Sequence, residues 1–369
     1  VLVKDLKELL DNISEFNLAE TWDNVGLSLG SDNAKIDNVL VCLDLTLDSI
    51  KAARKASCNL IITHHPLIFK EIKKIEYDDP TGKIIKEAIT SNINHIACHT
   101  NLDKSKGGLN DIVASYLGLE DTAPILPDSD LYKIVVFVPH KDSQRVHKAM
   151  SVAGGGRLGN YDYTSFRTSG VGTFRPLLGA NPALGQINTI NEVEENRLEM
   201  IVSGQKIKAV GKAMLKAHPY EEVAYDVYKL APGSTSSDVG LGRIGYLEKP
   251  LKMAGLIKKL SKDFTFIRTN TTKAKLVKKI AVCTGSGASL LTEVVKQKAD
   301  VYLTGDISYH HVDLANKLGL SLIEVGHFDL ESFAMKRFST MLNKQLSPNI
   351  KVKFYNLKNP WQKNYATTR

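Results

Sequence analysis

Apolar residues along this chain fall into two kinds of run. Asn38 to Leu43, Asn59 to Thr63, Lys279 to Cys283 and Ala299 to Thr304 are short and β-branched, the pattern of strands covered on both faces. Leu47 to Ser57 and Ser289 to Lys298 space their apolar residues as helices do, so each set reads as a βαβ unit. The two sets also match each other: Cys42 precedes Thr63 by the same interval that Cys283 precedes Thr304. In the first, a helix over Gly82 to Ser91 and a strand over Asn94 to Cys98 lead to HTNLD, His99 to Asp103. In the second, a helix over His311 to Leu318 and a strand over Leu320 to Val325 lead to HFDLE, His327 to Glu331. Both end in His-x-x-Leu-acid. The expectation is an α/β fold in which a three-layer α/β/α domain is built by internal duplication, its strand ends converging.

A polar, proline-bearing stretch, Pro124 to Asp130, and a glycine-rich one, Asp238 to Gly245, bracket a region with its own pattern. Strands are expected over Leu131 to Val138, Arg197 to Ser203 and Val223 to Leu230, and helices over Asp142 to Ala153 and Gly204 to Ala217. That order suggests a ferredoxin-like α+β domain. Gly154 to Gly156 and Val171 to Phe174 read as loops without the flanks of a nucleotide fingerprint. The chain thus divides into a first half, 1–127, an inserted domain, 128–245, and a second half, 246–369. A length of 369 residues agrees with more than one folding unit, since single cores stop growing near ~250 residues. The opening segment VLVKDLKELLDNISEF reads as an amphipathic helix, unlike a secretory signal.

Composition narrows the class. Hydrophobic residues at 43% and charged residues at 24% are ordinary globular values, which exclude disordered, collagen-like and coiled-coil chains. No apolar run approaches the ~20 residues that cross a bilayer, so no membrane association and a cytoplasmic location are expected. Four cysteines in apolar settings without a CxxC pair read as buried reduced thiols, not metal ligands. The net charge of +8 comes from dispersed lysines, with mild clusters at Lys70 to Lys74 and Lys273 to Lys279. No aromatic residues interleave with them, so they read as solvated surface and leave nucleic-acid binding unsupported.

Candidate chemistry gathers at the expected strand ends. His64 and His65 directly follow a buried strand, where open α/β sheets place ligands, and adjacent imidazoles diverge enough to address two metal ions. His327 and Glu331 have the i, i+4 spacing that puts both on one face of a helical turn, and Asp103 is the repeat equivalent of Glu331. Three imidazoles and two carboxylates are too few for two closed tetrahedral sites unless one carboxylate bridges. Glu331 is assigned as that bridge, positioning a metal-bound water, with coordination left open for substrate. Two divalent ions less two carboxylates leave positive charge that attracts a phosphate or an activated hydroxide, so hydrolysis is the natural chemistry. His99 is read as support behind the ligands, with direct ligation the alternative. Asp306 and His310 should line the cleft, helix capping being the other reading for Asp306. Asp23 and Asn24 either orient a substrate or metal water, or close a turn on themselves.

The motifs WDNVGL, THHP, HTNLD, TGDISYHH and GHFDLE resemble, in that order, those of the NIF-three-like family, also named GTP cyclohydrolase I type 2 homologues. HPYEEVAYDV, His218 to Val227, is similar to a motif of the PII/CutA-like domain inserted in longer bacterial members. The resemblance implies a dinuclear site, most often zinc, on His64, His65, Asp103, His327 and Glu331; manganese and iron suit the same donors. It also implies a toroidal homohexamer. For function it points to a metal-dependent hydrolase of a nucleotide or other phosphorylated small molecule. The alternative is a non-catalytic, metal-bound regulator or scaffold that senses a ligand through its insert.

Overall fold

The run Val39–Cys42 lies parallel to Leu60–Thr63, and that strand lies parallel to Asn94–Ala97, in a computed structural model that describes residues 1–128, 131–158, 161–231, 238–270, 276–346 and 348–361. All three strands are buried at every position, which is why they read as continuous apolar runs instead of alternating ones. Gly26–Leu29 closes one edge of this sheet antiparallel, and Val352–Phe354 closes the other in parallel. A second sheet places Val277–Ser286, Val301–Gly305 and Ser321–Glu324 side by side in parallel, flanked by Arg243–Leu251, Leu119–Ala123 and Arg268–Thr269.

One core joins the two sheets. Val39, Val41 and Ile62 of the first and Val282, Leu303 and Ile323 of the second share it with helices Leu109–Leu117 and His327–Gln345. The alternate residues of the same strands face outward into separate clusters: Leu40, Cys42 and Ile61 under helix Leu47–Lys55, and Ala281, Cys283 and Tyr302 under Leu291–Lys296. This period of two sorts side chains between the central and outer layers. All four cysteines are buried and unbridged. Among the described residues, no helix is long and apolar enough to cross a membrane.

These elements belong to a unit comprising Val1–Pro127 and Asp238–Arg369; Asp128–Ser237 form a second unit. The second contains an antiparallel sheet ordered Tyr225–Lys229, Leu131–Pro139, Asn191–Ser203, Phe166–Phe174. Helices Ser143–Val152 and Ile207–Ala217 pack on it through Val146, Met150, Val210 and Met214, so the element order is βαββαβ.

Two expectations need correction. Val171 to Phe174 lie inside the strand Phe166–Phe174, which is an exposed edge strand. Its backbone pairs along Asn191–Ser203, so it needs no apolar side chains for recognition and reads as loop in sequence. Residues 238–245, assigned to the insert, pack with the first unit: Gly240–Leu241 pairs with Leu126–Pro127, and Arg243–Leu251 with Val277–Ser286. The glycines there mark a turn. Gly242 has φ +65°, and a Cβ on it would stand 2.5 Å from Ile125 Cδ1 and 2.9 Å from the Val282 carbonyl. Asp130, Lys273 and Lys275, which figured in the sequence reading, lie outside the described residues.

Candidate metal centre

Thr63 ends its strand and hands the chain directly to His64 and His65; Ala97 ends the neighbouring strand two residues before His99. In the second sheet, Gly305 leads to Asp306, and Glu324 is followed closely by His327 at the start of the long helix. The four imidazoles therefore come from carboxyl ends of parallel strands. Ring centroids of His64 lie 5.1 Å from His65 and 5.0 Å from His99, and His65 lies 5.6 Å from His327.

Each imidazole is held at Nδ1 by an oxygen of a different segment. His64 donates to the Cys98 carbonyl at 2.9 Å. His65 is 2.8 Å from Asp44 Oδ1, His99 is 2.9 Å from Asp23 Oδ1, and His327 is 2.6 Å from Asp306 Oδ2. An imidazole fixed this way has its orientation set and its other nitrogen left for a ligand. The buried Glu331 meets three of them: Oε1 is 3.5 Å from His64 Nε2, and Oε2 is 3.1 and 3.0 Å from the Nε2 atoms of His65 and His327. Asp103 Oδ2 is 3.6 Å from His64 Nε2. Two groups, His64 with His65 and His99, and His65 with His327 and Glu331, bring ligand atoms within 4.8 Å of one another.

The surroundings leave room for the carboxylate and clamp it. A Cβ on Gly285, which has φ +66°, would sit 2.5 Å from Glu331 Oε1, and one on Gly305 would collide with the His327 backbone at 2.7 Å. Asp306 adopts φ +50°, a strained geometry for a residue with a Cβ, while its carboxylate holds His327. Thr284 donates through Oγ1 to Asp103 Oδ1 at 2.9 Å, and Asn110 bonds both the Thr284 N–H and the Asp103 carbonyl. Arg243, only 2% exposed, pairs with Asp111 at 2.8 Å. The same guanidinium donates to the carbonyls of Ser105 and Lys104, just past Asp103, and to those of Gly240 and Gly242.

Charge is concentrated here. Burial would raise the Glu331 carboxyl, but His64, His327 and His65 outweigh it and hold the group well below the ordinary range. Burial opposes protonation of His65, yet its bond to Asp44 and the nearby Glu331 carboxylate push it up to about 10. The Glu331 carboxylate beside it outweighs burial at His327 and takes it to about 9. His64 is raised because Asp103 and Glu331 overcome its burial, and burial, reinforced by Glu331, raises Asp103. Asp23 is held down at about 2, against its burial, by His99 and Thr100. Even so, His64 Nε2 and Glu331 Oε2 are buried without a hydrogen bond; the two imidazole nitrogens near Oε2 are close but out of line. With Nδ1 donating to Cys98, His64 Nε2 is an acceptor, and two acceptor atoms left without donors in a histidine–carboxylate cluster fit a metal ion.

Behind the cluster, buried His95 lies between Ser28 Oγ, 2.5 Å from Nδ1, and Thr63 Oγ1, 2.7 Å from Nε2. Thr63 Oγ1 also donates to the His65 carbonyl at 2.6 Å, so His95 donates to Thr63 and accepts from Ser28 as a neutral ring. Burial lowers its pKa from 6.5 to about 3. Below pH 6.5 the unfolded chain takes up a proton that the folded chain refuses. This contribution to stability is therefore complete above 6.5 and is lost by about 1.4 kcal/mol per pH unit as pH falls towards 3. Urea midpoints at pH 7.5 and 5.5 should draw together in His95→Gln relative to the parent. An unchanged interval would mean His95 is not the group responsible.

Most residues singled out in the sequence meet here, with adjustments. His99 lies among the imidazoles, not behind them. Asp306 orients His327, and the helix that follows takes Ser308, not Asp306, as its N-cap residue. Asp23 holds His99 and the Thr100 N–H, and Asn24 Nδ2 donates to the Ile68 carbonyl at 2.5 Å. His310 is the exception: exposed, it packs edge-on against Tyr309 and, among the described residues, shares no hydrogen bond or ring contact with the cluster. Asp44, Thr284 and Asn110 were not anticipated. Asp44 follows the strand Val39–Cys42, next to the one carrying His64, and an acid at that end was the available signal.

The fold and cluster define a mixed α/β protein with histidine and carboxylate side chains that could hold a metal ion, gathered over the ends of parallel strands. The chain belongs to the Duf34/NIF3 (NGG1p interacting factor 3) family, whose model matches residues 1–360. It is 40% identical over 325 residues to the GTP cyclohydrolase 1 type 2 homolog of Halalkalibacterium halodurans, covering 87% of each chain. It is 37% identical over 353 residues to the Bacillus subtilis protein of the same name, covering 94% of each. A crystal structure of a Bacillus cereus protein related to NIF3 superposes with TM-score 0.74 at 35% identity, covering 98% of each chain.

Proposed function

We propose that the cluster holds two divalent metal ions, zinc first among them, and that the protein is a metal-dependent hydrolase of a nucleotide or other phosphorylated small molecule. The observation that carries this reading is Glu331, buried with its two oxygens turned towards different imidazoles, as a bridge between two ions would be. His64, His65, Asp103, His327 and Glu331 are the ligands in this proposal, and His99 joins them beside His64. Bound there, such a pair supplies Lewis acidity and a nucleophilic water near neutral pH. The chain's own groups do the rest. Asp44, Asp23 and Asp306 fix the rings, Glu331 places charge between them, and Thr284 keeps Asp103 turned inward. The name carried by the relatives makes GTP the first substrate to try, followed by a panel of nucleotides and phosphoesters. Metal-dependent turnover of at least one is expected of the zinc- or manganese-loaded protein; none across the panel would end the hydrolase reading.

We also propose that the two sheet-bearing halves are duplicates, which their matching parallel ladders and His-x-x-Leu-acid endings support. The βαββαβ order supports reading the insert as a ferredoxin-like, PII/CutA-like domain. Exposed Phe166, Leu178 and Ile190 on it support covering surfaces, in line with a toroidal homohexamer.

A second reading, a regulator that senses a ligand through the insert, is favoured by a cavity of about 620 Å3 in that domain. The HPYEE segment builds it: Tyr220 donates to the buried Glu195 at 2.8 Å, and Glu221 accepts from the Asn181 N–H at 2.7 Å. A metabolite screen by thermal shift should then find a compound that raises Tm in the parent but not in Glu195→Ala. Hits indifferent to that substitution would count against it.

A further inference from the structure

Beside the cluster stands an aromatic pair to which neither reading gives a role. Trp22 and Phe69 lie with ring centroids 5.6 Å apart, and each presents itself to His99, at 6.1 and 6.4 Å. They are 56% and 47% exposed, although rings of this size usually gain most by burial.

Their exposure is not slackness of the loop. Asp23, next to Trp22, is tied to His99 and to both the N–H and the hydroxyl of Thr100. Asn24 ties the same loop to the Ile68 carbonyl, next to Phe69. The two rings are thus held in the open by hydrogen bonds on their flanks, one ring-width from an imidazole of the cluster. We infer that Trp22 and Phe69 form a stacking subsite for a planar heteroaromatic ring whose phosphate reaches the metal centre. The inference rests on the proposed anion-binding metal site and specifies what the rest of its substrate looks like. Aromatic faces accept such rings without regard to their hydrogen-bonding edges, so the subsite selects for flatness and leaves base identity to other contacts.

The test uses the full-length, zinc-loaded protein with guanosine 5′-monophosphate and ribose 5-phosphate, which share sugar and phosphate and differ by the ring. Because the chain has two tryptophans, Trp361→Phe leaves Trp22 as the sole indole reporter. Guanosine monophosphate should quench it and ribose 5-phosphate should not. By calorimetry the nucleotide should bind about 5- to 150-fold more tightly, the range that stacking one base supplies. Trp22→Ala, and independently Phe69→Ala on the other loop, should erase that ratio while leaving ribose 5-phosphate affinity and zinc content unchanged; Trp22→Phe should restore most of it. Equal affinities in the parent, or a ratio that survives both alanine variants, would overturn the subsite while leaving the metal–phosphate reading intact. If neither compound binds, both fall together.

Discussion

Glu331→Gln should lower zinc content from two ions per chain to fewer than one and depress any metal-dependent turnover by about 10³-fold or more, since even groups behind a ligand cost 10- to 100-fold when removed. The substitution keeps size and shape and removes the charge. In the parent, that charge stands against three imidazole nitrogens at 3.0 to 3.5 Å, and surroundings that would otherwise favour the neutral acid are overridden by them. A neutral amide offers one acceptor oxygen in place of two, so a bridge becomes at best a single contact. Metal analysis of the purified variant, alongside circular dichroism to show that it folds, decides the matter. Two ions per chain in Glu331→Gln would remove the bridging role.

The second large effect falls on folding. Arg243→Ala should destabilise the protein by about 3–5 kcal/mol, because it strands a carboxylate and several carbonyls in a buried site. Arg243→Lys should recover only part, since a single ammonium replaces a fork that now serves Asp111 and five carbonyls from two segments. Denaturant midpoints of the three proteins test this order. A midpoint for the alanine variant within about 1 kcal/mol of the parent would show that water satisfies the stranded groups.

Strand and helix positions were largely legible because parallel strands buried on both faces leave unbroken apolar runs. The histidine–carboxylate cluster was legible where its residues sat in repeated segments: His99 to Asp103 and His327 to Glu331 announced each other. Asp44, Asn110 and Thr284 lay outside that repetition. A single acid or amide in a loop has many ordinary uses, and only the folded chain shows that Asp44 lies against His65 and Asn110 against Thr284. The edge strand Phe166–Phe174 was hidden for the opposite reason, its stability lying in backbone pairing with Asn191–Ser203 and not in apolar side chains. His310 was drawn in by its neighbours in TGDISYHH, but it stands exposed beside Tyr309 at the start of its helix.

The four clamps on the imidazoles come from positions as far apart in the chain as Asp23 and Asp306, and the carboxylate they face is at 331. During synthesis, then, His64, His65 and His99 emerge long before the partners that make them a site, with the whole insert made in between. Contacts of such long range form late and slowly. On the proposed reading, metal capture should accordingly mark the end of folding: a chain halted before residue 331 holds imidazoles but lacks Glu331, and high-affinity metal uptake would be a signature of the finished protein.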